Sequence, residues 1–103
     1  MSVIVTAVFT AKPGQREELK QALLDSIPPV HEEDGCELFA LHDATDGTLV
    51  YIEKWTSVET LDAHGAGAPV EALNAAIAPH LASAPVVTRM FAVAGGSAEQ
   101  GLL

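Results

Sequence analysis

The feature of this sequence that most constrains its fold is a first extended segment that is apolar on both faces. Residues 3–11 read VIVTAVFTA, a run dominated by β-branched and aromatic side chains. Side chains alternate between the two sides of a strand, so this strand places apolar groups on both sides of its sheet. It therefore belongs inside a sheet that is covered on both faces.

A helical region follows this strand. The turn residues KPG at 12–14 end the strand, and apolar side chains then recur at helical spacing in a stripe that includes Leu19 and Leu23. The two prolines at 28–29 predict that this helix ends near Ile27.

A β-hairpin comes next. Two extended segments, residues 36–43 and 48–55, are joined by the turn sequence ATDG at 44–47. In the second segment, the side chains that share one face are Leu49, Tyr51, Glu53 and Trp55.

The second helical region is split into two pieces. Ser57 is the predicted N-cap of a short helix that continues through His64. Residues 65–69, GAGAP, predict a flexible break, and an apolar stripe over 70–82 predicts the second piece. The last strand is predicted over residues 85–93.

The order of these elements is βαββαβ, which predicts an α+β ferredoxin-like fold with a four-stranded antiparallel sheet. We expect one domain over residues 1–94 and a C-terminal tail over 95–103. Helices in this order cover one face of the sheet, yet 49% of the 103 residues are hydrophobic and the mean hydropathy is +0.26. The excess predicts a homodimer that buries the other sheet face.

Charge and composition argue against several classes of partner. The chain carries 5 basic and 14 acidic residues, a net charge of -9, without any cluster of lysines or arginines. Nucleic acids and anionic membranes are therefore not expected partners. The first residues show neither a basic leader nor an apolar run long enough to span a bilayer, which predicts a cytoplasmic protein. A single cysteine and four histidines without ligand spacing predict no metal site.

Four landmarks, in this order, resemble the antibiotic-biosynthesis-monooxygenase superfamily, especially its small quinol-monooxygenase-like members. They are Lys12-Pro13-Gly14, Asp34-Gly35-Cys36, Tyr51-x-Glu53-x-Trp55 and Leu61-x-x-His64. The resemblance spans roughly residues 3–93 and implies a dimeric α+β barrel. It also implies oxidation of a quinol or polyphenol by O2 without metal or flavin, because many members catalyse that reaction.

Two departures from the family pattern bear on function. A second histidine often follows the first by about five positions in the family, where this chain has Pro69. Members that degrade haem have Asn on the first strand, Trp at the position of His64 and His in the later helix, whereas this chain has Ala7, His64 and Asn74. This chain therefore lacks all three residues that are usual in the haem-degrading members.

Two residues are candidates for acid–base chemistry. His64 is the predicted base, because an imidazole titrates near neutral pH; the alternative is that it hydrogen-bonds a carbonyl at the helix C-terminus. Glu53 interrupts an apolar strand face, where an unpaired carboxylate is costly. It is predicted either to act as an acid or base or to pair with Arg89.

Three residues are candidates for substrate contact. Tyr51 and Trp55 are predicted to stack on an aromatic substrate, or else to belong to the core or the dimer interface. Asn74, a polar residue in an apolar stripe, is predicted to line a pocket or to cap a backbone group.

Three functions remain open on the sequence. The first is a cofactor-independent monooxygenase for a quinol or polyphenol-like aromatic. The second is a non-catalytic dimeric domain that binds a small apolar ligand or only assembles. The third is an isomerase of a small oxygenated metabolite.

Overall fold

A computed structural model describes all of residues 1–103. In chain order, its elements are β1 (Val3–Phe9), α1 (Arg16–Asp25), α2 (Ile27–His31), β2 (Cys36–Asp43), β3 (Leu49–Trp55), α3 (Val58–Gly65), α4 (Ala68–Ile77), a 3-10 turn (Ala78–His80), β4 (Val86–Met90) and α5 (Ala98–Gly101). The predicted order of strands and helices, with the second helical region divided into α3 and α4, is confirmed.

The strands form one open antiparallel sheet in the order β2-β3-β1-β4. β1 lies inside the sheet and pairs with both β3 and β4, while β2 pairs only with β3. This is the ferredoxin-like arrangement that the sequence predicts. Its loops bring the end of β3 and the start of α3 close to the loop that precedes β2, where Thr56 N–H donates to the Gly35 carbonyl at 2.9 Å.

Prolines determine where three helices begin or end. The prolines at 28–29 occupy the first turn of α2, so α1 ends at Asp25. Pro69 lies in the first turn of α4, where its missing N–H costs nothing. The predicted flexible break over 65–69 is therefore only the residues between Gly65 and Ala68. Pro79 converts the end of the second helix, predicted to reach residue 82, into a 3-10 turn.

The core lies between the helices and one sheet face. Leu19, Leu23 and Val30 are fully buried from the helix side, as the stripe in the sequence predicts. Every residue of β3 that faces the helices is buried, including Glu53. The helices pack chiefly against β2 and β3, so the helix layer does not extend over β4, whose five residues are all exposed.

Helices α1 to α4 leave the opposite sheet face uncovered, and this face is mostly apolar, which confirms the prediction of two apolar faces. Its apolar side chains are Ile4, Val8, Leu38, Ala40, Val50, Ile52, Val86 and Met90. Leu102 and Leu103 border a groove beside Ile4 and Met90 at one end of this face. None of the helices combines the length and the apolar character required to cross a bilayer.

Candidate functional site

A cavity of about 240 Å³ lies between the helices and the sheet. Nine of the 15 residues that line it are hydrophobic, and they come from all four strands and from α3 and α4. Pro85, Val87 and Arg89 line it on the side of β4, where the helix layer is absent. The cavity is therefore an apolar chamber with its mouth at the exposed edge strand.

His64 is one of the polar side chains that line this cavity. α3 begins with a capping box in which Ser57 and Thr60 exchange hydrogen bonds, and this fixes the rotation of the helix. Leu61 and His64, three residues apart, then face the protein interior together, and both are buried. His64 Nδ1 lies 2.7 Å from Glu33 Oε2 rather than at a helix carbonyl, so the alternative capping role does not occur.

Glu33 is a site residue that the sequence analysis did not identify. It follows α2 and is held there by Gly35, whose φ of 82° is favourable only for glycine. A Cβ at Gly35 would lie 2.5 Å from the Cβ of Thr60, so glycine also permits this loop to approach α3 closely. The Asp34-Gly35 turn is visible in the sequence, but no pattern links Glu33 to a histidine 31 positions later.

Trp55 joins the two predicted acid–base residues. Its ring lies 4.5 Å from the His64 ring, centroid to centroid, and its Nε1–H donates to Glu53 Oε1 at 2.9 Å. Trp55 is completely buried and lies behind His64 and Glu53, outside the cavity lining. The structure thus links Glu33, His64, Trp55 and Glu53 in one continuous group.

Glu53 is 5% exposed and lines the cavity. Burial raises the pKa of its carboxyl above the usual range; the Trp55 N–H and His64 lower this pKa, and the charge of Glu33 raises it. The alternative partner, Arg89, instead donates to Asp62 Oδ1 at 2.8 Å. Val5 separates Glu53 from Arg89 in the sheet, and the Arg89 side chain turns toward α3.

The ring of Tyr51 lines the cavity, whereas its hydroxyl makes a hydrogen bond outside the cavity. The hydroxyl donates to the Leu23 carbonyl, one of the last carbonyls of α1, which lack a partner within the helix. Burial, together with the charge of Glu53, raises the pKa of Tyr51 above its usual range. Tyr51 is therefore an uncharged, apolar part of the cavity wall, and it also packs against the rings of Phe9 and Phe39.

Asn74 lines the cavity from α4, although it is exposed rather than buried in the apolar stripe. The structure thus brings four of the five predicted site residues to the cavity, namely Tyr51, Glu53, His64 and Asn74. The other histidines lie outside its lining: His31 contacts the Phe39 carbonyl at 2.9 Å, His80 contacts Gln15 at 2.9 Å, and His42 is exposed.

The chain resembles known proteins in both sequence and fold. The sequence model of the family described as Antibiotic biosynthesis monooxygenase matches residues 2–76. Rv0793 from Mycobacterium tuberculosis is 30% identical, with a TM-score of 0.85 over 94% of this chain and 100% of that one. A Caulobacter crescentus protein, provisionally assigned as an antibiotic biosynthesis monooxygenase, is 28% identical, with a TM-score of 0.81 over 89% and 90% of the two chains. No curated protein sequence matches the chain significantly.

Proposed function

The chain belongs to the antibiotic biosynthesis monooxygenase family, and from this premise we propose that it is a cofactor-independent monooxygenase that oxidises a quinol or polyphenol-like aromatic with O2. One observation carries the proposal: a mostly apolar cavity is lined by one imidazole and one buried carboxyl group. Such a chamber suits a reaction in which a hydroxyl proton is removed away from bulk water.

The size of the cavity fits a small aromatic substrate. A cavity of about 150 Å³ accommodates benzene, and drug-sized ligands occupy roughly 300–1,000 Å³. The cavity of about 240 Å³ therefore suits one or two fused rings. Its aromatic wall, Phe9, Phe39 and Tyr51, offers ring faces and edges to a planar molecule.

The proposed reaction balances without an external reductant. His64 takes a hydroxyl proton from the quinol, and the resulting anion donates an electron to O2 more readily than the neutral quinol does. The radical pair then combines at a ring carbon. One oxygen atom remains on the ring as a hydroxyl or carbonyl oxygen and the other leaves as water, so quinol and O2 give a hydroxyquinone and water. The quinol supplies all four electrons that the two oxygen atoms accept.

Glu53 supports this chemistry as the acid. Its raised pKa favours the protonated carboxyl, which donates a hydrogen bond or proton where negative charge develops on oxygen. In this proposal Tyr51 and Asn74 contact the substrate, while Trp55 holds Glu53 and His64 in place from behind.

The same proposal includes a homodimer formed through the open sheet face. This face carries apolar side chains on all four strands, and helices α1 to α4 lie on the other side. A second copy that stacks its own sheet on this face would remove these side chains from water.

The test of the reaction is O2 consumption with a panel of hydroquinones, on protein treated with a chelator. We expect turnover by the native protein and a fall in kcat of at least about 100-fold in His64→Ala. His80→Ala removes an imidazole that contacts Gln15 outside the cavity lining and serves as the matched control. Equal rates in His64→Ala and native protein would remove His64 from the mechanism. A native protein without turnover that still binds a hydroquinone would favour the non-catalytic ligand-binding domain.

The test of the dimer is sedimentation velocity. Ile52→Glu places a charge in the middle of the open face and should shift the protein to the monomer, because an unpaired carboxylate is costly to bury. Val58→Glu places the same charge on a partly exposed position of α3 and should leave the dimer intact. A native protein that sediments as a monomer at micromolar concentration would refute the dimer.

A further inference from the structure

The contact between Glu33 and His64 is the feature that carries a further inference. His64 Nδ1 and Glu33 Oε2 lie 2.7 Å apart, and the two side chains are only 8% and 17% exposed. Ion pairs between exposed side chains contribute little and vary in geometry, but this pair is largely shielded from water. The fold therefore fixes the geometry of this pair.

The chemistry of the two groups determines which nitrogen carries the proton. A carboxylate only accepts hydrogen bonds, so the short contact places the proton on Nδ1. In the neutral imidazole the lone pair then resides on Nε2. Nε2 hydrogen-bonds no protein atom and is not sealed from solvent. His64 lines both the cavity and a surface cleft, whereas Glu33 lines only the cleft, and we infer from this that the ring edge opposite Glu33 faces the cavity.

The position of Glu33 is fixed by the backbone around it. Its N–H donates to the Val30 carbonyl at 3.0 Å, and its carbonyl accepts from Cys36 N–H at 3.3 Å. The close approach of Gly35 to Thr60 then anchors this loop on the first turn of α3, one residue before Leu61 and one helical turn before His64.

The ring of His64 is restrained from other directions as well. Trp55 lies against it at 4.5 Å with an angle of 31° between the ring planes, and Phe39 meets it edge-on at 5.8 Å. These contacts limit rotation of the ring, but neither aromatic side chain accepts the Nδ1 proton. Glu33 is the contact that distinguishes one tautomer from the other.

We propose that Glu33 is a positioning residue that holds the proton of His64 on Nδ1 and so directs the Nε2 lone pair to the cavity. The inference rests on the proposed role of His64 as the base. It gives the loop between α2 and β2 a function in catalysis although that loop touches no substrate, as an orienting carboxylate does for other catalytic imidazoles.

The experiment compares native protein with Glu33→Gln by two measurements. The first is the ¹⁵N NMR spectrum of the imidazole side chains, in which a protonated nitrogen and a lone-pair nitrogen give well-separated signals; His64→Ala assigns the His64 signals. The second is steady-state O2 consumption with a hydroquinone. Glu59→Gln is the matched control, because Glu59 borders the same surface cleft as Glu33 and His64 without a hydrogen bond to either.

We expect neutral His64 to be protonated on Nδ1 in native protein and in Glu59→Gln. In Glu33→Gln the amide both accepts and donates, so the tautomer preference should be lost. The value of kcat should fall at least roughly 10-fold with KM changed less than about twofold, because the substrate contacts remain. If Glu33→Gln does not fold, Glu33→Asp lengthens the contact and should weaken the same preference.

The outcomes separate this inference from the proposed function. An unchanged tautomer in Glu33→Gln overturns the positioning role, whatever the activity. A lost preference with unchanged kcat overturns its importance for catalysis. A lost preference in a protein whose native form consumes no O2 supports the positioning of the ring and refutes the monooxygenase.

Discussion

Two strands flank the central strand β1, and they differ sharply in environment. In one row across the sheet, Tyr51 of β3 and Val87 of β4 both neighbour Ala7. Tyr51 is 1% exposed and Val87 is 60% exposed. In the adjacent row, Glu53 and Arg89 both neighbour Val5, and again only the residue of β3 is buried. Both pairs line the same cavity.

The difference shows that the cavity wall formed by β3 is closely packed, whereas the wall formed by β4 is open to solvent. β3 lies under the helices, so its side chains are held by packing and by hydrogen bonds to Leu23 and Trp55. β4 has neighbours on one edge and no helix above it. The residues proposed for chemistry lie on or near the closely packed β3 wall, and the entrance lies at the open β4 wall.

The largest expected effect on stability is at Trp55. Trp55→Ala empties a fully buried site, and we expect it to lower the free energy of unfolding by about 3–5 kcal/mol, a large part of the stability of a small domain. Urea denaturation followed by far-UV circular dichroism measures this loss. A loss below about 1 kcal/mol would contradict the close packing of the β3 wall.

A smaller effect is expected at Tyr51. Tyr51→Phe retains the ring but leaves the Leu23 carbonyl without its donor, which should cost about 1–3 kcal/mol. The same urea denaturation gives the value. If the substitution leaves the free energy of unfolding unchanged, water replaces the hydroxyl as donor to the Leu23 carbonyl. The β3 wall would then be less tightly packed.

The effect of Glu53 depends on pH. Because the folded-state pKa of Glu53 is raised, native protein loses stability as pH rises from below the ordinary glutamate pKa through the raised value. Glu53→Gln cannot ionise, so the two proteins should be similar in stability at about pH 4 and the variant should be the more stable at about pH 8. Urea midpoints at both pH values test this. A stability difference that is independent of pH would show that Glu53 ionises in the folded protein as it does in the unfolded chain.

The smallest effect is expected on β4. Val87→Ala should change the free energy of unfolding by no more than about 0.5 kcal/mol, since the side chain is already exposed. The measurement is repeated over a range of protein concentrations. A cost above about 1 kcal/mol that appears only at high concentration would show that a second molecule covers β4 in solution.

The elements with a regular pattern were predictable. Residues 36–43 form β2 as predicted, and Leu49, Tyr51, Glu53 and Trp55 share one face of β3 as predicted, because side chains alternate across a strand and a turn signal separates the two segments. The ends of the outer segments were less predictable. β4 ends at Met90 rather than at residue 93, because Met90 already pairs with Ile4 near the start of β1.

The site was predictable in composition but not in connectivity. His64 and Glu53 stand out as polar residues in apolar patterns, and both line the cavity. Glu33 has no such signal, because acidic residues flank it in sequence and its partner is 31 residues away. The alternative in which Glu53 pairs with Arg89 does not occur, because Arg89 binds Asp62, and no sequence pattern reports the path of such a long side chain.

The tight contact of Gly35 with Thr60 has a consequence for how such a protein can diversify. A side chain at position 35 would collide with Thr60 of α3 and would strain the backbone, so a substitution of Gly35 should lower stability whatever the substrate. Positions 74 and 87, at the entrance, are exposed and tolerate exchange at little cost in stability. New substrate preferences are therefore expected to arise by mutation at the entrance, while the loop that we propose orients the imidazole should tolerate little change.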